Sequence, residues 1–113
     1  MQSAFAKTKY VRISPRKARL AAALIRGKGV EEASTQLMLS QLRGGRLLKK
    51  TLDSAVANAE TQLNVQRRDL IVKEVRVDEG PTLKRAKPKN KGGSHPIMKR
   101  TSHFTIVVAS EKN

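Results

Sequence analysis

The first apolar pattern along the chain has the period of an α-helix. Ser14 can cap the free N–H groups, Pro15 suits the first helical position, and Gly27 can adopt the left-handed conformation that ends a helix. We therefore predict a first helix over about Pro15 to Arg26, which packs one side inward and turns a row of guanidinium groups outward. The apolar side comprises Leu20, Ala21, Leu24 and Ile25, and the outward arginines are Arg16, Arg19 and Arg26.

Two further helices are predicted before the middle of the chain ends. Helical spacing resumes after Gly29, and the Gly44-Gly45 pair is expected to break the chain after this shorter second helix. Beyond that break, the longest apolar pattern predicts a third helix from Arg46 to about Leu63. The second pattern consists of Val30, Ala33, Leu37 and Met38, and the third of Leu48, Leu52, Ala55, Val56, Ala59 and Leu63.

The period then changes to that of β-strands. Two late segments alternate apolar and polar residues and are predicted to pair as antiparallel neighbours. One strand face is expected to hold Ile71, Val75 and Val77, with Lys73 breaking the row, and the other Phe104, Ile106 and Val108. A third strand is predicted at about Lys9 to Ile13. The sequence thus predicts an α+β fold in one domain, residues 1–113, with about three helices on a small three-stranded antiparallel sheet.

The connection between the two paired strands is far longer than an ordinary hairpin loop. It runs from Val77 to Thr101, whereas hairpin loops have about two to five residues. Proline and glycine cluster near its middle, which favours two extended limbs that meet at a loose tip. We therefore predict a long protruding β-hairpin, an arm over residues 78–100 that is about 40 Å long.

The charge balance of the chain points to a polyanionic partner. Its 113 residues carry 24 Lys and Arg against 9 Asp and Glu, for a formal net charge of +15. The stretch from Thr82 to His103 contains seven of these cations and no acid. Such an excess is typical of nucleic-acid-binding proteins, because each phosphate contact by Lys or Arg releases condensed counterions.

Candidate phosphate contacts lie in the basic start of the chain and in the arm. Any single lysine is more often a solvated surface charge, but the acid-free run as a whole favours contact. One Tyr, two Phe and no Trp leave little for base stacking, so we expect recognition of the backbone and shape of a folded polyanion. The candidate contacts are Lys9, Arg12, Arg16, Lys17, Arg19, Arg26, Lys84, Arg85, Lys87, Lys89, Lys91, Lys99 and Arg100.

Other classes of function have less support in the sequence. There is no Cys, and His95 and His103 lack the spacing of metal ligands, so we expect no enzyme, no metal and no cofactor. The longest helical apolar patch, Leu20 to Ile25, is too short to span a bilayer, and we expect an intracellular protein without a membrane partner. The alternative function is that of an architectural DNA-binding protein, which would wrap a minor groove with its basic β-arm.

Four ordered blocks of sequence resemble one known family. They are SPRKARLAAALIRGK at Ser14–Lys28, SAVANAE at Ser54–Glu60, VDEGPTLKR at Val77–Arg85 and KRTSHFTIVV at Lys99–Val108. Together they are similar to the bacterial ribosomal large-subunit protein twenty-two family, also called universal uL-twenty-two. The resemblance spans nearly the whole chain, and two of the blocks bracket the arm, which makes the combination specific.

The resemblance implies a structural constituent of the large ribosomal subunit, located in the cytoplasm, that supports subunit assembly and is not a homo-oligomer. It also implies that the body binds large-subunit ribosomal RNA (rRNA) near the exit of the nascent-chain tunnel while the arm lines the tunnel wall. Further partners would be neighbouring ribosomal proteins, including large-subunit protein four, and the nascent polypeptide. The implied tunnel tip is Lys89, Asn90, Lys91, Gly92, Gly93 and Ser94.

Overall fold

Along the chain, the helices follow the first strand, and the other strands come after the last helix. The computed structural model describes residues 2–88 and 94–110, including the side chains except those of residues 83–88 and 94–99. The helices are α1 (Pro15–Ala22), α2 (Val30–Leu39) and α3 (Arg43–Leu63), followed by a 3-10 turn at Arg67–Asp69. The strands are β1 (Gln2–Val11), β2 (Leu70–Glu79), β3 (Leu83–Pro88), β4 (Ser94–Lys99) and β5 (Ser102–Ser110).

The sheet of the body has the strand order β1–β5–β2 and is antiparallel throughout. The central strand, β5, places Ile106 opposite Ala6 of β1 and opposite Val75 of β2. Phe104, Ile106 and Val108 are fully buried on the face that the helices cover. The predicted α+β class, the antiparallel pairing of the two late strands and the apolar face of β5 are confirmed.

The apolar face of β2 differs from the prediction because the strand contains a β-bulge. Its pairing with β5 shifts register between Val72 and Glu74, which leaves Lys73 as the extra residue. An extra residue exchanges the two faces of a strand, so a strict period of two fails across it. Ile71 is therefore only half-buried, and its predicted place beside Val75 and Val77 was wrong. The buried residues of β2 are Leu70, Val72, Val75 and Val77.

The first strand is longer and begins earlier than the predicted segment from Lys9 to Ile13. β1 starts at Gln2 opposite Ser110 and ends at Val11 opposite Ser102, while Ile13 is buried beyond the strand. Its inward residues are Ala4 and Ala6, which pack against α3. Alanine is depleted in strands, so the pattern that would have predicted this strand was weak.

α1 has the predicted start but ends before the predicted Arg26. Ser14 Oγ accepts a hydrogen bond from the Lys17 N–H at 3.4 Å, and Pro15 occupies the first turn. Turns follow Ala22, and Gly27 has the expected left-handed backbone, with φ of 76°. The buried side is Ala18, Ala21, Ala22 and Ile25. Leu20 is 60% exposed, so its predicted inward position was wrong: α1 packs through small alanine side chains, and Leu20 lies outside that contact.

The third helix begins at Arg43 and includes the Gly44-Gly45 pair, so the predicted break at these glycines was wrong. A Cβ atom on Gly44 would lie 3.2 Å from the Ala18 Cα atom and 3.4 Å from the Ala21 Cβ atom. Glycine at this position lets the first turn of α3 pack directly against α1. The predicted apolar stripe of α3 is confirmed, with Leu48, Leu52, Ala55, Val56 and Ala59 buried and Leu63 half-buried.

β3 and β4 form a separate two-stranded antiparallel sheet. They pair from Leu83 opposite Lys99 to Pro88 opposite Ser94, and they contact each other far more than they contact the body. The chain measures 65 × 25 × 16 Å along its principal axes and has a Cα radius of gyration of 17.0 Å. A compact domain of this length would have a radius of about 13 Å, so the molecule is elongated. The predicted tip residues Lys89, Asn90, Lys91, Gly92 and Gly93 lie outside the described residues, and the extent and role of the arm over residues 78–100 stay a prediction.

Candidate nucleic-acid interface

Arg19 of α1 and Arg26, which follows this helix in the chain, lie along the free edge of β2. Arg19 donates from Nε and Nη2 to the carbonyl oxygen of Val77 at 3.2 and 3.0 Å, and Arg26 donates from Nη2 to the carbonyl oxygen of Val75 at 2.9 Å. Carbonyl groups on an edge strand otherwise remain open to pairing with another chain. A guanidinium group has five N–H donors, so both arginines retain donors for a second partner.

Backbone hydrogen bonds after α1 continue this edge protection. The Gly27 N–H donates to the Val72 carbonyl at 3.0 Å, and the Val72 N–H donates to the Lys28 carbonyl at 2.8 Å. In a regular strand, the backbone N–H and C=O groups of successive residues point to alternate edges. The bulge at Lys73 shifts this alternation by one residue, so the backbone groups of Val72 point to the same edge of β2 as those of Val75 and Val77. α1 is thereby fixed against β2, with Arg16 and Lys17 on its exposed surface.

A cleft of about 920 Å³ opens where α1, the start of α3 and the root of the arm meet. Its cationic residues come from separate elements, and none of the residues that line it is acidic. Three apolar side chains complete the wall. The cations are Arg12, Lys17, Arg43 and Arg100; the remaining lining residues are Ile13, Ser14, Leu20, Leu42 and Gly44.

Two helices begin at this cleft. Ser14 caps α1, whereas α3 starts after Leu42, which supplies no side-chain hydrogen bond to the free N–H groups. Neither helix has an acidic residue in its first turn. The N-terminal ends of the helices therefore add partial positive charge to the charge of the four cations, and the cleft favours an anion.

The root of the arm is held on both sides by hydrogen bonds. The Gly80 N–H donates to the Thr101 carbonyl at 3.0 Å, and the Thr101 hydroxyl donates to the Pro81 carbonyl at 2.7 Å. On the opposite side, the Ser102 hydroxyl donates to the Ile13 carbonyl at 2.7 Å. These contacts fix the chain that carries Arg100, which lies between β4 and Ser102 and reaches the cleft.

The candidate contacts whose side chains the structure describes are all exposed, but only some of them lie together. Arg12, Lys17 and Arg100 share the cleft, while Arg19 and Arg26 lie along β2. The exposed set is Lys9, Arg12, Arg16, Lys17, Arg19, Arg26 and Arg100. In the arm, the register places Lys84 opposite Met98, Arg85 opposite Ile97, Lys87 opposite His95 and Lys99 opposite Leu83. Lys89 and Lys91 lie outside the described residues.

Arg43 was missed by the sequence prediction. It directly precedes Gly44-Gly45, where a chain break was expected, so no helical face was assigned to it. The early start of α3 brings Arg43 to the cleft beside Lys17 and Arg100. A cap-like Ser40, whose Oγ accepts from the Leu42 N–H at 3.1 Å, is the local signal that could have indicated the true start.

The histidine that the structure describes has a structural environment. His103 Nδ1 accepts the Tyr10 N–H at 3.1 Å, and the two rings meet edge to face with centroids 5.0 Å apart. Across residues 2–88 and 94–110, no group of three or more His, Asp or Glu residues is arranged to hold a metal ion. In the same part of the chain, no helix has the length and apolar character needed to cross a membrane.

Comparison with known proteins gives a consistent family. The family described as "Ribosomal protein L22p/L17e" matches residues 6–109. The chain is 73% identical over 110 residues to the "Large ribosomal subunit protein uL22" of Protochlamydia amoebophila, covering 97% of this chain and 99% of that protein. Proteins of the same name from Chlamydia abortus and Chlamydia muridarum are 59% identical over 107 residues and 58% identical over 103 residues. These matches cover 95% and 91% of this chain, and 96% and 93% of the relatives. The resemblance drawn from the four sequence blocks is thus confirmed, and the chain belongs to the ribosomal protein L22p/L17e family of structural, non-enzymatic ribosomal proteins.

Proposed function

We propose that this protein binds large-subunit rRNA as a structural constituent of the large ribosomal subunit in the cytoplasm. The body holds RNA through the outer surface of α1 and through the cleft between α1 and α3. The arm over residues 78–100 supplies a second contact region. In this role the protein supports subunit assembly, acts as one copy and needs no cofactor.

The observation that carries this proposal is the acid-free cleft with four cations from separate elements. Arg12 precedes α1, Lys17 lies in α1, Arg43 begins α3 and Arg100 follows β4, yet the fold gathers them at two helix N-termini. Two ion pairs of the described residues involve cations outside the cleft. Lys49 Nζ lies 3.0 Å from Asp53 Oδ2, and Arg76 Nε lies 3.0 Å from Glu74 Oε1. The four cations of the cleft are all solvent-exposed, so they can contact phosphate groups.

We further propose that the arm lines the nascent-chain tunnel, with Lys89 to Ser94 as its tip. The pairing of β3 with β4 and their scant contact with the body support an arm that depends on its surroundings. Isolated two-stranded sheets are marginally stable in water, so rRNA would stabilise the limbs. Contacts with large-subunit protein four and with the nascent polypeptide belong to this part of the proposal.

The proposal is tested by measuring the affinity of the full chain for a large-subunit rRNA transcript across a series of KCl concentrations. Each phosphate contact contributes about 0.7 to 0.9 to the slope of log K against log salt, so the seven exposed candidate contacts of the body give a slope of about −5 to −6, and Arg43 and the arm make it steeper. A DNA duplex of equal length serves as the comparison. Tighter binding to the DNA than to the rRNA would overturn the proposal and favour the architectural DNA-binding alternative.

A further inference from the structure

We infer that the cleft between α1 and α3 binds one unstacked nucleotide of the RNA, with its phosphate on the cationic residues and its base against the apolar wall. This inference rests on the proposed rRNA-binding function and adds a specific subsite to it. Recognition of nucleotides that leave the stack, in bulges and loops, is a common way for proteins to bind RNA.

The apolar wall of the cleft is the first reason. Leu20 is 60% exposed and Leu42 is 42% exposed, and both line the same cleft, whose third apolar residue, Ile13, is buried. Phosphate groups on the neighbouring cations would leave these leucines in contact with water. A flat base laid against them removes apolar surface from water, which is favourable by about 25 cal/mol per Å².

The size of the cleft is the second reason. Its volume of about 920 Å³ falls within the range of about 300 to 1,000 Å³ that is usual for small-molecule sites and exceeds what a single phosphate requires. Gly44 lines the cleft as well, and its lack of a Cβ atom lets α3 begin close to Ala18 of α1, which forms the cleft's other side.

The charge of the cleft selects RNA over a peptide. Four cations and no acid favour a partner with several negative charges, which the phosphate of the bound nucleotide and those of its neighbours in the RNA chain supply together. Every nucleotide carries a phosphate and a flat base together, whereas a peptide would need several acidic residues set among apolar ones. Arginine guanidinium planes stack on bases, so Arg12, Arg43 and Arg100 can take the part that aromatic side chains play in other RNA-binding proteins.

A second pair of exposed apolar residues lies on α2, but this pair is not part of the cationic cleft. Met38 is 65% exposed and Leu39 is 75% exposed, but neither lines the cleft. They provide a matched control, because they are at least as exposed as Leu20 and Leu42.

The base contact is tested by nuclear magnetic resonance on the full chain with labelled Leu and Ile methyl groups. We expect adenosine and uridine 5′-monophosphate to shift the methyl signals of Leu20, Leu42 and Ile13, whereas ribose 5-phosphate leaves these methyl signals in place. Equal effects of the nucleotides and ribose 5-phosphate would show a simple anion site and overturn the inference. Tighter binding of an acidic, leucine-rich peptide than of either nucleotide would overturn it in favour of a protein partner.

The contribution to RNA binding is tested with the charge-neutral double variant Leu20→Gln, Leu42→Gln and the control Met38→Gln, Leu39→Gln. We expect the cleft variant to bind the rRNA transcript about tenfold more weakly, with an unchanged salt slope, because its phosphate contacts remain. The control should bind like the wild type. If the wild type binds with the expected steep slope and the cleft variant binds equally well, the nucleotide site is wrong while rRNA binding stands. If the wild type shows no preference for rRNA, the proposed function itself fails.

Discussion

At the scale of single residues, the arginines in and just after α1 serve the fold as well as the candidate interface. The sequence predicted an outward row of Arg16, Arg19 and Arg26, and all three are exposed. The structure separates them, because Arg19 and Arg26 donate to edge carbonyls of β2 while Arg16 lies at the exposed start of α1. A sequence pattern predicts the side of a helix on which a cation lies. It does not predict the carbonyl group that accepts the cation's hydrogen bond, because that group belongs to a strand about 50 residues later in the sequence.

The double variant Arg19→Ala, Arg26→Ala should lower the free energy of unfolding by about 2 kcal/mol, since each of the two exposed guanidinium groups contributes roughly 1 kcal/mol through its contact with β2. Arg16→Ala is the control, with an expected change within about 0.5 kcal/mol, as is usual for a surface site. Urea denaturation of the isolated chain measures both. Equal stability of the double variant and the control would show that the guanidinium contacts with β2 contribute nothing to the fold.

At the scale of elements, the contact between α1 and α3 decides both the packing and the cleft. Sequence reasoning assigned Gly44-Gly45 to a break because glycine usually weakens a helix, by about 1 kcal/mol relative to alanine. Close approach to Ala18 outweighs that propensity, since a side chain at position 44 would meet the backbone of α1. Propensity is a local property, and the requirement for a small residue here arises only when two helices meet.

Gly44→Ala should therefore destabilise the protein by about 1 to 2 kcal/mol, although alanine favours a helix. The added Cβ atom would lie 3.2 Å from the Ala18 Cα atom, which requires α1 to move. Gly29→Ala is the control, because no atom lies within 4 Å of the added Cβ atom. Thermal unfolding compares the two variants, and a gain in stability for Gly44→Ala would mean that α1 relaxes without cost.

The arm is the second element whose contribution can be separated. Reversing Lys84 and Arg85 to Glu should weaken binding to the rRNA transcript and flatten the salt slope by about 1.5 to 2, as expected when two phosphate contacts are lost. Arg67→Glu with Arg68→Glu gives the same charge change in the turn between α3 and β2. A slope that changes equally in both variants would indicate a response to net charge and exclude the inbound limb from the interface.

At the scale of the whole molecule, net charge links stability to the anionic partner. A formal charge of +15 on 113 residues opposes compaction, and the elongated shape of 65 × 25 × 16 Å spreads that charge. Salt screens both the repulsion within the free protein and the attraction to RNA. Screening the repulsion raises the stability of the free protein, whereas screening the attraction lowers the affinity for RNA.

Raising KCl from 50 to 500 mM should accordingly increase the unfolding temperature of the free protein by several degrees while lowering its affinity for rRNA. Differential scanning calorimetry of the chain alone measures the first effect. A neutral osmolyte at equal osmolality controls for exclusion effects on the protein surface. An unfolding temperature that falls with KCl would show that favourable ion pairs outweigh the repulsion.

Much of the architecture could be predicted from local chemistry. Ser14 and Pro15 predicted the start of α1, the three-four spacing from Leu48 to Ala59 predicted α3, and the alternation from Phe104 to Val108 predicted β5. The wrong predictions for the face of β2 and for the start of α3 have the same cause. At Lys73 and at Gly44 the deciding contact lies on another element, so neither the bulge nor the helix start has a complete local signal.

The sequence by itself determined the α+β class, the family and the excess of positive charge, because periodicity, ordered motifs and composition are properties of the chain alone. Only the tertiary structure decided which cations lie together. Arg12, Lys17, Arg43 and Arg100 are far apart in sequence and meet because the alanine face of α1 and the glycine at position 44 let two helix starts approach beside the root of the arm. Phosphate binding depends on distances between charges in space, and those distances are set by packing.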